Sequence, residues 1–137
     1  MIPVYQTTFG SPGGNCLSAC VASLLELPIE EVPYFGDDNQ LPPLQAFLDA
    51  YGMTSMCMRW DPAVWMPQGY CILGGQARGV DGKLWPHAVV GLDGEFVHNP
   101  HPAGGTLEVI EDVTFLLPKN PALWRLRSPE EAPCGSL

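Results

Sequence analysis

Apolar positions in the first quarter of the chain recur with a helical period. Leu17, Cys20, Val21, Leu24 and Leu25 fall at i, i+3, i+4, i+7 and i+8, which predicts a helix from Cys16 to about Glu26. Gly13-Gly14 deliver the backbone to Asn15, a good N-cap type, and Leu27-Pro28 ends the run. Residues 27–33 read as a turn with a short helical piece pinned by Pro28 and Pro33, and residues 36–40 as a polar loop. After Pro42-Pro43 a second helix carries the stripe Leu44, Phe47, Leu48 and Tyr51, with Gly52 suited to its C-terminal side.

The period then changes to two. Met56, Met58 and Trp60 alternate with Ser55, Cys57 and Arg59, predicting a half-buried strand, and Tyr70–Gly74 reads as a buried one. Residues 76–84 read as a turn-rich loop. Residues 87–91 and 95–98 flank Leu92-Asp93-Gly94, a hairpin signal. Residues 107–110 and 113–117 are expected as two closing strands, with residues 123–126 a weaker strand signal. Helices first and strands joined by tight turns afterwards give an α+β fold with a mostly antiparallel sheet. A single domain is expected over residues 1–127, with 128–137 a loose tail.

Composition narrows the function classes. With 46% hydrophobic and 15% charged residues in 137, the chain is globular. Fifteen acidic against six basic residues give a net charge of −9, and the six basic residues are scattered, so phosphate-mediated nucleic-acid binding is not expected. No long apolar run suggests a membrane span, and the N-terminus lacks the form of a signal peptide. Five irregularly spaced cysteines then read as reduced thiols in a cytoplasmic protein. No cofactor or metal is expected.

Cys16 is the first candidate for chemistry. In the first turn of a helix it feels the positive end of the helix dipole, which favours thiolate. A thiolate nucleophile needs a base and a group to orient that base. His87 opens the first strand of the hairpin, and Asn99 follows its second. The turn decides whether they meet. With a two-residue turn Leu92 pairs with Glu95, and Asn99 points to the opposite face from His87. With a three-residue loop Gly91 pairs with Glu95, and His87 faces Asn99 directly, with Cβ atoms about 4.5–5.5 Å apart. The three-residue loop is the expectation. Gln6, ten residues before Cys16, and the Cys16 N–H are candidate donors to an oxyanion. Each residue alone has a bland reading: Cys16 as small core, His87 as a strand-end surface residue, Asn99 as turn chemistry before Pro100, Gln6 as a polar loop residue. The combination is harder to dismiss.

In the order Gln6, Cys16, His87, Asn99 the chain resembles the papain-like cysteine peptidase superfamily. It is most similar there to small bacterial and phage members such as the peptidase domains of bacteriocin-exporting transporters. The phrases from Asn15 to Pro28 and from Val97 to Pro102 carry the same likeness. The resemblance covers roughly residues 4–105. It implies a papain-like fold in which the Cys-bearing N-terminal helix packs on the sheet, and a cysteine hydrolase acting on a peptide or protein substrate. It also implies Cys16 as nucleophile, His87 as base, Asn99 as its orienting partner and Gln6 at the oxyanion.

Three other readings stay open. A catalytically inactive protein of this fold would act as a binding or inhibitory factor through its acidic surface. A zinc site from Cys16, Cys20, His98 and His101 is chemically conceivable, but its spacings match no common module. A plain structural domain is the third, since Cys57, Cys71 and Cys134 show that cysteines here need not mean chemistry.

Overall fold

The computed structural model describes residues 1–122; the expected strand at 123–126 and tail at 128–137 lie outside the described residues. The chain forms helix α1 (Cys16–Leu25), a 3-10 turn (Ile29–Glu31), helix α2 (Leu41–Asp49) and strands β1 (Met53–Arg59), β2 (Tyr70–Arg78), β3 (Leu84–Leu92), β4 (Glu95–His98) and β5 (Val109–Pro118). The five strands make one antiparallel sheet in the order β1-β5-β2-β3-β4. The fold is α+β, with both helices packed on the sheet.

Alternation along β2 and β3 divides the interior between the two faces. Ile72, Ala88 and Val90 join Cys20, Val21, Leu44 and Leu48 in the cluster under the helices. Cys71, Leu73 and Val89 point the other way and pack with Leu107 and Val113. Trp60 and Trp65, from the loop after β1, cover that second cluster. α1 ends at Glu26, whose left-handed backbone closes the helix, and the N–H of Leu27 returns to the Ala22 carbonyl.

The strand boundaries depart from the sequence reading in three places. β1 was expected to alternate, yet Met56 and Met58 are both exposed, because β1 is an edge strand and only its first half is covered by α2. Residues 76–78 extend β2 instead of belonging to a loop, since Gln76, Ala77 and Arg78 find partners in Pro86, Trp85 and Leu84. The two closing strands are one continuous β5. Glu111 is accommodated as a bulge opposite the Gly74–Gly75 step, where a Cβ on Gly75 would lie 1.8 Å from the Val109 carbonyl oxygen.

The β3–β4 turn also corrects the expected register. Leu92 pairs with Glu95, so the loop is the two-residue one, with Asp93 and Gly94 both at positive φ. Aspartate tolerates that conformation, and here its carboxylate also accepts the Gly69 N–H at 2.8 Å. A regular hairpin from this turn would separate His87 from Asn99. It is not regular: Gly91 pairs with Phe96 but Val90 with His98, so Val97 is an extra residue in β4. One inserted residue exchanges the faces beyond it and returns Asn99 to the side of His87.

Candidate active site

The N-terminal segment runs between α1 and the end of β4. The Val4 N–H donates to Ser23 Oγ on α1, the Gln6 N–H donates to the Pro100 carbonyl, and His98 Nε2 donates to the Val4 carbonyl. This path sets Gln6 and the start of α1 beside the segment that follows β4.

Asn15 was expected to cap α1. Instead its Oδ1 accepts the N–H groups of Thr7 and Thr8, and its Nδ2 donates to Thr7 Oγ1, while no side chain caps the helix. The Thr8 hydroxyl donates to the Gly13 carbonyl, and the Gly13 N–H donates to Asp37. Gly14 lies so close to Gly10 that a Cβ there would be 2.5 Å from the Gly10 carbonyl oxygen. The loop before Cys16 is therefore a clamped structure, and it leaves the first N–H groups of α1 without side-chain caps.

On the other side, His87 Nε2 lies 2.8 Å from Asn99 Oδ1. The orientation of the amide follows from its partners. Asn99 Nδ2 donates to the carbonyls of Gly104 and Gly105, at 3.0 and 2.9 Å, and Oδ1 also accepts the His101 N–H at 2.9 Å. With both amide hydrogens spent on carbonyls, Oδ1 must face the imidazole, so Nε2 carries the hydrogen and Nδ1 is the free acceptor of neutral His87. His101 stands near, its ring centre 6.5 Å from that of His87 and its other side against Phe9.

Burial sets the resting charges. It pushes the Cys16 thiol above its ordinary value, although the N–H groups of Ala88, Leu17 and Cys16 itself act to lower it. Burial likewise pulls His87 below the usual imidazole value; the Asn99 bond opposes this and the neighbouring His101 adds to it. Both directions favour a neutral thiol and a neutral imidazole. The helix-start argument for a thiolate is outweighed here by desolvation.

Two clefts meet at Cys16 and His87, and Gly10, Gly14 and Pro86 also border both. The smaller, about 330 Å³, is lined by Asp37, Cys57, Gly74, Glu111 and Asp112 among others. The larger, about 470 Å³, is lined by Gln6, Ala77, Trp85, Asn99, His101 and Gly104 among others. Trp85 is held by a hydrogen bond from its Nε1 to Asp81 and lies over Gly79. Gln6 is buried; its Nε2 donates to the Thr8 carbonyl at 2.9 Å and its Oε1 has no partner. No hydrogen bond joins Cys16 to His87.

All four sequence-derived candidates, Gln6, Cys16, His87 and Asn99, thus border one composite site. The alternative zinc ligands are not brought together: Cys20 is in the core under the helices, His98 is tied to Val4, and among the described residues no group of three or more potential ligands converges. No described helix is long and apolar enough to cross a membrane. Sequence reasoning named His101 only as a possible zinc ligand, not as a neighbour of His87, and missed the Gly104 and Gly105 carbonyls and the Asp112 cleft. Only the first left a signal, since an Asn whose side chain accepts the N–H two residues on is a common turn device. Comparisons with protein-family models, curated proteins and solved structures give no match.

Proposed function

We propose that the protein is a papain-like cysteine hydrolase that cleaves an amide, isopeptide or thioester bond. The observation that carries this reading is the His87–Asn99 pair, whose amide orientation leaves Nδ1 of His87 free beside the cleft that Cys16 also lines. A merely structural asparagine has no need to fix the tautomer of a half-buried histidine.

In the proposed reaction the Cys16 thiol gives its proton to His87 Nδ1 as sulfur attacks the carbonyl carbon, forming the C–S bond. Asn99 accepts from Nε2 and stabilises the imidazolium. The Cys16 N–H, at the start of α1, donates to the oxyanion, and the second hydrogen of Gln6 Nε2 is available as a further donor. When the C–N bond breaks, His87 returns the proton to the leaving amine and a thioester remains. Water then attacks the thioester carbon, His87 takes its proton and passes it to the departing Cys16 sulfur, and the acid is released. Burial of both groups works against a resting ion pair, so in this reading His87 acts as a general base.

The test is limited alkylation with iodoacetamide at pH 7, read residue by residue by mass spectrometry. Cys16 should react faster than exposed Cys57, and His87→Ala should slow Cys16 by about tenfold or more without affecting Cys57. If Cys16 reacts no faster than Cys57 and His87→Ala changes neither, the hydrolase reading fails, and an inactive binding protein of the same fold becomes the better account.

A further inference from the structure

In the larger cleft one large side chain is fixed in place without being buried. Trp85, on β3, is 38% exposed, and among the described residues it joins neither core cluster, so core packing does not account for its position. The β2–β3 turn places it instead. Its Nε1 donates to Asp81 Oδ1 at 3.2 Å, and the same oxygen accepts the Lys83 N–H at 3.0 Å. The Gly79 N–H donates to the Lys83 carbonyl at 2.8 Å, and the Gly82 N–H to the Gly79 carbonyl at 3.0 Å. The indole lies over Gly79, where a Cβ would come within 2.8 Å of Cδ1 and Nε1. Its cross-strand partner is Ala77, which adds little bulk beside the ring. The chain thus holds a large apolar surface in one place while leaving it partly open.

That surface is part of the wall that carries the candidate base. Trp85 and His87 stand two apart on β3, the spacing that sends side chains to one face, and both border the cleft with Cys16. Val80, wholly exposed on the turn, Pro86 and Ala103 border it too. Arg78 and Asp81, at the same rim, are already engaged: Arg78 pairs with Glu108, and Asp81 holds the turn. The recognition this wall offers is therefore contact with an apolar group.

We infer that the Trp85 indole is a specificity-determining wall, and that it receives a flat apolar side chain of the substrate, such as a phenylalanine or tyrosine ring, close to the carbonyl that Cys16 attacks. This rests on the hydrolase reading and narrows its substrate class. Trp85 contributes binding and takes no part in the proton transfers. A ring laid against the indole gains offset or edge-to-face contact that a short side chain lacks.

Thiol reagents that differ only in the group they carry test this without a known substrate. In a Cys57→Ser background, the modification rates of Cys16 by methyl, benzyl and phenethyl methanethiosulfonate are measured by mass spectrometry. The aryl-to-methyl rate ratio should exceed that of 2-mercaptoethanol. Trp85→Ala should lower it about three- to tenfold, and Trp85→Phe by less, while the methyl reagent's rate stays unchanged. Phe96→Ala, at an exposed aromatic on β4 that borders neither cleft, controls for general attraction of apolar reagents and should leave the ratio in place. If the buried Cys20 and Cys71 become reactive in Trp85→Ala, that variant has unfolded, and the same fall is required of Trp85→Leu. The inference is overturned if the ratio of the unsubstituted protein does not exceed that of 2-mercaptoethanol. It is equally overturned if the folded Trp85 variant leaves the ratio unchanged, as it would were the indole only a cover for Gly79, or if Phe96→Ala lowers it as much. Failure of the hydrolase reading is separate: it shows as a methyl-reagent rate that His87→Ala does not alter.

Discussion

Two asparagines support the two halves of the site, and they do so differently. Asn15 precedes the candidate nucleophile and Asn99 holds the candidate base. Each engages both ends of its amide. Asn15 spends them on Thr7 and Thr8, groups without a titratable proton near neutral pH, at a place open to solvent. Asn99 is buried, and one of its partners is an imidazole. The same side chain is therefore a loop fastener in one setting and a regulator of proton affinity in the other. Hydrogen-bond count does not separate these roles; burial and the nature of the partner do.

Substitutions that treat the two asparagines alike should expose the difference. Asn99→Ala is expected to reduce His87-dependent alkylation or hydrolysis about 10²–10³-fold, because the tautomer and the imidazolium lose their support. It should also cost about 1–3 kcal/mol in urea unfolding, since the Gly104 and Gly105 carbonyls lose their donor. A smaller and more diagnostic effect concerns pH. The Asn99 bond raises the His87 proton affinity, so Asn99→Ala should move the acidic limb of Cys16 reactivity to lower pH, whereas Asn99→Asp should move it to higher pH. Asn15→Ala should cost about 1 kcal/mol and leave that limb where it is. A shift of the limb in Asn15→Ala equal to that in Asn99→Ala would dissolve the distinction.

The same burial makes a prediction for the whole molecule. His87 binds a proton less readily folded than unfolded, so its contribution to stability is complete above the ordinary 6.5 and falls as the pH drops below it. Cys16 and Cys20 hold their protons more tightly when folded, so their contribution is complete below the ordinary 9.0 and falls as the pH rises beyond it. Unfolding free energy should therefore show a plateau between about 6.5 and 9 from these groups. The low-pH decline should be reduced in His87→Gln, and a decline unchanged by that substitution would refute the assignment. The effect is expected to be the smallest of those named here.

How much of this could be read from residues alone depends on what carries the signal. α1 was legible because its larger apolar residues repeat at helical spacing, although burial in fact runs unbroken from Ser18 to Ser23, and the α+β order followed from the change of period after Gly52. The His87–Asn99 proximity was legible as a question of parity, but the answer came by a different route. A two-residue turn and an inserted Val97 achieve what a three-residue loop was expected to do. Periodicity reports which face a residue takes only while the ladder stays regular, and a bulge leaves no compositional mark. The clamp at Asn15 and the closeness of Gly10 to Gly14 were hidden for a similar reason, since they depend on how the loop folds back on itself and not on a residue pattern. The helix start that favours a thiolate is visible in sequence, whereas the burial that opposes it is not.

The strand order has a consequence for how the protein is made. β5 lies between β1 and β2, although it is the last strand among the described residues. Until residues 109–118 have left the ribosome, β1 has no partner and one edge of β2 is open to foreign strands. The β2–β3–β4 meander needs only near neighbours and can form early, whereas the β1–β5 pairing must join Met53 to Pro118 across a long stretch of chain. The half of the molecule that supplies His87 and Asn99 can thus assemble first, and β1 joins the sheet only once β5 is in place.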